Sequence, residues 1–202
     1  MTSIVTSTQL MGSWWLRRHG EYEAPSKAVT ITSLDNPGWR VLIHLENALA
    51  ERLASPPVKT ERSDADWVHL EVTNGQFIGA GGPDNLEELL SSFLSAIGEP
   101  DVTVPSALEL LCRWYREQCD DAWEHRWGID IETTGAPGWS IRVDLNETPW
   151  ASMHRPEATE RRSDHDWITY SVRDQKFIGE GGPENLSELV ETFLSLMTPR
   201  GT

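Results

Sequence analysis

Apolar positions along this chain change period in the first hundred residues, and the whole sequence of changes then recurs. Alternation with a period of two runs through Trp39, Val41, Ile43 and Leu45 and again through Trp139, Ile141, Val143 and Leu145, the spacing of a strand with one buried face. The segments before them, Val29 to Ser33 and Ile129 to Thr133, read as the first arms of hairpins, because Leu34-Asp35-Asn36-Pro37-Gly38 has turn chemistry. Trp67 to Val72 and Gln76 to Gly79 flank Asn74-Gly75, a strong two-residue hairpin signal, whereas the second occurrence has the weaker Asp174-Gln175. Helical spacing follows at Leu86, Leu89, Leu90, Phe93, Leu94 and Ile97, mirrored by Leu186, Leu189, Val190, Phe193, Leu194 and Met197, and predicts a helix of about 15 residues in each place. A further helix opens the second half through Leu108, Leu111, Cys112, Tyr115 and Cys119, with Ser106 as its N-cap and Glu109 as the capping-box partner.

The recurrence has a constant offset of one hundred residues, without insertion. Pro37-Gly38-Trp39 returns as Pro137-Gly138-Trp139, Arg62-Ser63-Asp64-x-Asp66-Trp67 as Arg162-Ser163-Asp164-x-Asp166-Trp167, and Phe77 through Leu86 as Phe177 through Leu186. A repeat of this length is a duplicated folding unit. Gly98 to Ser106, with two prolines and a glycine, interrupts every periodic pattern and marks the boundary. The expected fold is therefore α+β in two copies, residues 1–100 and 101–202. Each copy has an opening helix, an antiparallel sheet of about four to five strands, and a closing helix, with the helices on one sheet face.

Composition narrows the class of partner. With 17 Lys+Arg against 32 Asp+Glu the net charge is −15, which disfavours free nucleic acid and anionic membranes as partners. Residues 1–100 hold seven cations and thirteen carboxylates, and residues 101–202 hold ten and nineteen, so the second copy is the more acidic. No run approaches the roughly 18 apolar residues of a membrane span, and the first ten residues lack a signal-peptide pattern. Cys112 and Cys119, seven apart on one helix, are too distant for a disulfide. The expectation is a cytoplasmic protein with free thiols.

Candidate chemistry is sparse. Gly79-x-Gly81-Gly82-Pro83 stands where phosphate loops occur, but Pro83 removes a backbone donor and Asp84 repels an anion, so it reads as a strand-to-helix turn. Asp64-x-Asp66 and Asp164-x-Asp166 lack the further oxygen or nitrogen donors of a calcium or zinc site. They read as loop-capping or solvated carboxylates, and no metal or cofactor is expected. Trp67 and Trp167 fall on the more polar face of their strands, the place of an interface anchor or of a covered aromatic. Trp123-Glu124-His125 clusters an acid, an imidazole and an aromatic where copy one has Glu23-Ala24-Pro25. A Glu-His pair serves general acid-base chemistry, yet neighbours on an extended segment point apart, which favours partner contact or structural hydrogen bonding over catalysis.

The second copy, through Trp114-Tyr115, Cys119-Asp120, Trp123-Glu124-His125, Gly128-Ile129, Pro137-Gly138-Trp139, Ser163-Asp164-x-Asp166-Trp167 and the Gly-Gly-Pro-x-Asn-Leu turn, resembles the immunity protein 53 family of bacterial polymorphic-toxin systems. Copy one resembles it through Pro37-Gly38-Trp39, Ser63-Asp64-x-Asp66-Trp67 and its own Gly-Gly-Pro turn, and departs from it at Glu23-Ala24-Pro25. The resemblance implies small α+β units that bind a cognate protein toxin and catalyse nothing. An acidic inhibitor suits a basic toxin such as a nuclease. The partner-binding residues expected on this basis are Trp123, Glu124, His125, Asp164, Asp166 and Trp167 in copy two, which is expected to carry most of the affinity, with Asp64, Asp66 and Trp67 in copy one. The rival classes are a small-molecule enzyme using Glu124 and His125, and a self-associating structural module.

Overall fold

A computed structural model describes residues 5–19 and 25–198. Copy one runs α1 (Ser7–His19), β1 (Val29–Leu34), β2 (Gly38–His44), α2 (Asn47–Leu53), β3 (Val58–Glu61), β4 (Trp67–Thr73), β5 (Gln76–Gly81) and α3 (Leu86–Ile97). Copy two runs α4 (Ala107–Gln118), β6 (Ile129–Thr133), β7 (Trp139–Asp144), β8 (Arg155–Arg161), β9 (Trp167–Arg173), β10 (Lys176–Gly181) and α5 (Leu186–Met197). Each copy thus has five strands, and the closing helices are 12 residues long. Of the departure at residues 23 to 25, Glu23 and Ala24 lie outside the described residues.

The copies share one sheet. Its strand order is β3-β4-β5-β2-β1-β6-β7-β10-β9-β8, with every neighbouring pair antiparallel. The central pair, β1 and β6, sets Ile31 opposite Ile131, with Thr30 opposite Glu132 and Thr32 opposite Asp130. Ile31 and Ile131 are equivalent in the repeat, so a local two-fold axis passes between them. The same symmetry appears in the bonds around the seam. Val29 N–H donates to Thr133 Oγ1 at 3.1 Å, and Ile129 N–H donates to Ser33 Oγ at 2.9 Å. Pairing β1 with β6 removes the inner edge that either half would otherwise expose, which is an aggregation hazard in any open sheet.

Period-two alternation puts Ile31, Val41, Ile43, Val68 and Phe77, with Ile131, Ile141, Val143, Ile168 and Phe177, on one buried face. The long helices cover it: Leu89 lies against Gly79 and Gly81, and Leu189 against Gly179. Phe93 meets Trp14 and Phe77 at 5.1 and 5.2 Å between ring centroids, and Phe193 meets Trp114 and Phe177 at 4.8 and 5.3 Å. The helix layer also crosses the seam. Tyr115 on α4 donates its hydroxyl hydrogen to Leu34 O of copy one at 2.7 Å. A Cβ on Gly12 of α1 would collide with the Pro183 carbonyl oxygen of copy two, so only glycine lets that helix approach the second copy so closely.

One element has no counterpart. Helix α2 lies beside Trp14 and Ile97. In copy two the chain turns instead through Thr148, whose N–H donates to Leu145 O, and Trp150 comes within 6.2 Å of Trp114. Leu10 is 8 % exposed, whereas its equivalent Leu110 is 49 % exposed.

Candidate functional site

The repeated motifs that carried the resemblance are mostly fold devices. Trp39 Nε1 donates to Pro83 O at 2.8 Å and Trp139 Nε1 to Pro183 O at 2.9 Å, which ties the Pro-Gly-Trp strand to the Gly-Gly-Pro turn in each copy. Arg62 reaches Asp66 at 2.7 Å and Glu88 at 2.6 Å. Asn85 Nδ2 donates to both carboxylates, at 2.9 and 3.0 Å, while Asn85 Oδ1 accepts from Trp67 N–H at 3.3 Å. Copy two repeats the arrangement with Arg162, Asp166, Asn185 and Glu188. The hydrogen bond from the arginine, followed by that from the asparagine, holds both aspartates below their ordinary carboxylate pKa. Asp66 and Asp166 therefore lock the loop before β4 and β9 onto the start of the closing helix. Gly82 closes the same corner, since a Cβ there would collide with the Ala65 carbonyl oxygen.

The surface expected around Trp-Glu-His is not a surface. Trp123 is 2 % exposed, its ring packs near Trp114 and Tyr115, and Nε1 donates to Asn146 O at 2.8 Å. Glu124 is 5 % exposed and its two carboxylate oxygens accept from Asp120 N–H at 3.1 Å and Asp121 N–H at 3.0 Å. Asp120 replies by accepting from Ala122 and Trp123 N–H. These four bonds close a tight turn in which Asp121 takes a positive φ of 68°. Only His125 of the three is exposed, so Glu124 and His125 form no acid-base pair. The signal in the sequence was an Asp four residues before a Glu, the Glu placed to accept from the N–H of the Asp and the Asp to accept from N–H groups between the two. No group of three or more His, Cys, Asp or Glu side chains converges among the described residues. Burial pushes the thiol of Cys112 up to about 12 and that of Cys119 up to about 11, and both are unpaired.

What the fold leaves accessible is the sheet face on which, among the described residues, no helix packs. Carboxylates and cations meet across its strands: Asp130 faces Arg142, and Lys176 pairs with Asp144. Burial holds Asp130 above its ordinary pKa, opposed by Arg142. Apolar Leu42, Ile78 and Ile178 lie half-buried among them. Trp67 and Trp167 stand toward opposite ends of this face, both half-buried. Asp64 and Asp164 are exposed on the adjoining loops. At the copy-two end, Arg161 lies over Trp167 with its guanidinium carbon 5.6 Å from the ring centroid. At the copy-one end position 61 is a glutamate, and a cavity of about 530 Å³ opens among Glu61, Arg62, Ser63, Asp64, Trp67, His69 and Ala80. Sequence reasoning placed Trp67 and Asp64 there but passed over Glu61 and His69. The available signal was that positions 61 and 161 differ in charge sign beside an otherwise repeated motif.

The sequence pattern of immunity protein 53 matches twice, over residues 8–98 and 108–198. The chain belongs to the immunity protein 53 family. No curated protein and no solved structure matches it. Both halves are immunity protein 53 units, the half without Trp-Glu-His included; the first match ends at residue 98, just after α3, and the second begins at residue 108, in the first turn of α4. Membership of this family makes the chain an immunity protein against a toxin.

Proposed function

We propose that this immunity protein 53 member neutralises the toxin of a bacterial polymorphic-toxin system in the cytoplasm, by stoichiometric binding through the helix-free face of its sheet. The family match over both copies carries the reading. The geometry supports the chosen face. A ten-stranded sheet with one face uncovered by the described helices offers a broad platform, with polar Thr30, Thr32, Asp130 and Glu132 on its central strands, apolar Leu42, Ile78 and Ile178 to either side of them, and a tryptophan toward each end. Aromatic anchors surrounded by polar groups are the usual composition of a protein interface. Glu124 and His125 belong to a folded turn, which removes the acid-base pair that an enzyme reading required. The charge of −15 favours fast encounter with a basic toxin, including nucleases.

The experiment is growth rescue. A candidate toxin, sought among the reading frames beside that of this chain, is expressed with or without the full chain, and the full chain is expected to restore growth. Ile78→Arg combined with Ile178→Arg, both on the open face, is expected to abolish rescue without changing the melting temperature. Glu109→Lys and Glu191→Lys, exposed on the helix layer, are expected to leave rescue intact. The opposite pattern would place the interface on the helices, and absence of rescue by the unmodified chain would overturn the immunity reading for that toxin.

A further inference from the structure

The two ends of the open face present the same indole and carboxylate and fill the space between them differently. In copy two, strand register sets Arg161 opposite Trp167. Its guanidinium lies over the indole at 5.6 Å, and Nη1 is 3.6 Å from Asp164 Oδ1. A planar, weakly hydrated cation suits such a place, attracted by the negative face of the ring and by the carboxylate beside it. In copy one the same register sets Glu61 opposite Trp67, and Asp64 keeps the place of Asp164. Asp64 has no ion pair among the described residues. Arg62 at the rim is taken up by Asp66 and Glu88. His69 forms one wall, 5.0 Å from Trp67 between ring centroids and 3.2 Å from Glu61 Oε1. The copy-one end therefore keeps the indole and carboxylate that hold a guanidinium in copy two, adds a second carboxylate, and leaves the space open.

We propose that this cavity receives an arginine side chain of the toxin, its guanidinium lying on Trp67 between Asp64 and Glu61. The inference rests on the immunity reading and adds the chemistry of one anchor. Arginine fits better than lysine because a fork of donors can serve two carboxylates while its plane stacks on the ring. The copies then differ in role: copy two fills its own aromatic corner with Arg161, and copy one takes the equivalent cation from the partner. This assigns an anchor to copy one, where the Trp-Glu-His segment had directed attention to copy two.

The test uses the full chain, isotope-labelled at its indole nitrogens, with N-acetyl-arginine amide, N-acetyl-lysine amide and the uncharged isostere N-acetyl-citrulline amide as probes. The Trp67 indole signal, assigned by its loss in Trp67→Phe, is expected to move saturably with the arginine probe, more weakly with lysine, and not with citrulline. Glu61→Arg installs the copy-two residue at an exposed position and is expected to weaken the arginine response roughly fivefold or more. Arg161→Glu is expected to give Trp167 a new response. Equal responses to arginine and citrulline, or a Trp67 response unchanged in Glu61→Arg with the thermal midpoint preserved, would overturn the proposal. These readings involve no toxin, so the cavity assignment and the immunity reading, judged by growth rescue, can fail separately.

Discussion

Glu124→Ala separates a fold role from a binding role at the residue that sequence reasoning placed in the interface. The substitution leaves Asp120 and Asp121 N–H without the carboxylate they now donate to at 3.1 and 3.0 Å. Hydrogen bonds to a charged group contribute about 1.5–3 kcal/mol each. The two share one carboxylate, and the exposed backbone of Asp120 and Asp121 can be rehydrated, so the sum is discounted to about 2–3 kcal/mol. For a chain of this size each kcal/mol moves the melting temperature by about 2–4 °C, which gives a fall of about 5–10 °C. The loosened turn also carries Trp123, so the unfolding should be accompanied by earlier loss of the near-ultraviolet tryptophan signal. Glu124→Gln keeps one accepting oxygen and turns an amide toward the other donor, and should fall between. His125→Ala, at an exposed position, should change stability by less than about 0.5 kcal/mol. The assay is thermal melting by circular dichroism alongside calorimetric binding to the toxin. An unchanged melting temperature in Glu124→Ala together with a large loss of toxin affinity would refute the reasoning and return Glu124 to the interface.

Two single variants and one double variant test the seam, the turns and the acid limb. Gly12→Ala should destabilise by more than about 1 kcal/mol in thermal melts, although alanine is the better helix former by about that amount, because the added Cβ meets the Pro183 carbonyl across the seam. Gln175→Gly should stabilise by about 1 kcal/mol, since Gln175 is held at a φ of 58° that costs an L side chain about that much, and denaturant unfolding will show it as a higher midpoint at constant slope. Asp66 and Asp166 have pKa values lowered in the folded state, so their contribution to stability is present above the unfolded value of 3.8 and is lost as pH falls through the lowered folded value. Melting temperature measured from neutral pH downward should therefore drop below about pH 4, and Asp66→Asn with Asp166→Asn should flatten that drop.

The elements were legible in the chain because period-two and helical spacings are local, and the offset of one hundred residues let each copy check the other. Asn74-Gly75 announced its hairpin, and both residues take the positive φ, 51° and 72°, that such a turn requires. What the spacing could not carry was the partner of β1. Thr30, Ile31 and Thr32 read as any half-buried strand, and their pairing with β6 is decided by the fit of two helix layers across the seam. Edge strands β3 and β8 were also obscure, because Val58-Lys59-Thr60-Glu61 and Arg155 to Arg161 are largely exposed and show little alternation of burial. The Trp-Glu-His cluster misled for a chemical reason. Residue types suited to recognition, Trp and Glu, are equally suited to a buried ring with one hydrogen-bond donor and to a carboxylate capping two amides. Asp66 and Asp166 misled less, since loop capping was the reading their spacing favoured, and Asn85, Glu88 and their repeats complete it.

The central claim, that this protein neutralises a toxin by occupying it, is tested most directly by an inhibition titration. The purified toxin identified by growth rescue is held at a concentration well above the dissociation constant, its activity is measured, and full-length protein is added in steps. Binding through one interface predicts activity that falls linearly and reaches its floor at one equivalent of this chain, with the complex recovered intact and the toxin active again after separation under denaturing conditions and refolding. Complete loss of activity at a small fraction of an equivalent, with the toxin chemically altered afterwards, would contradict the account and make the protein an enzyme.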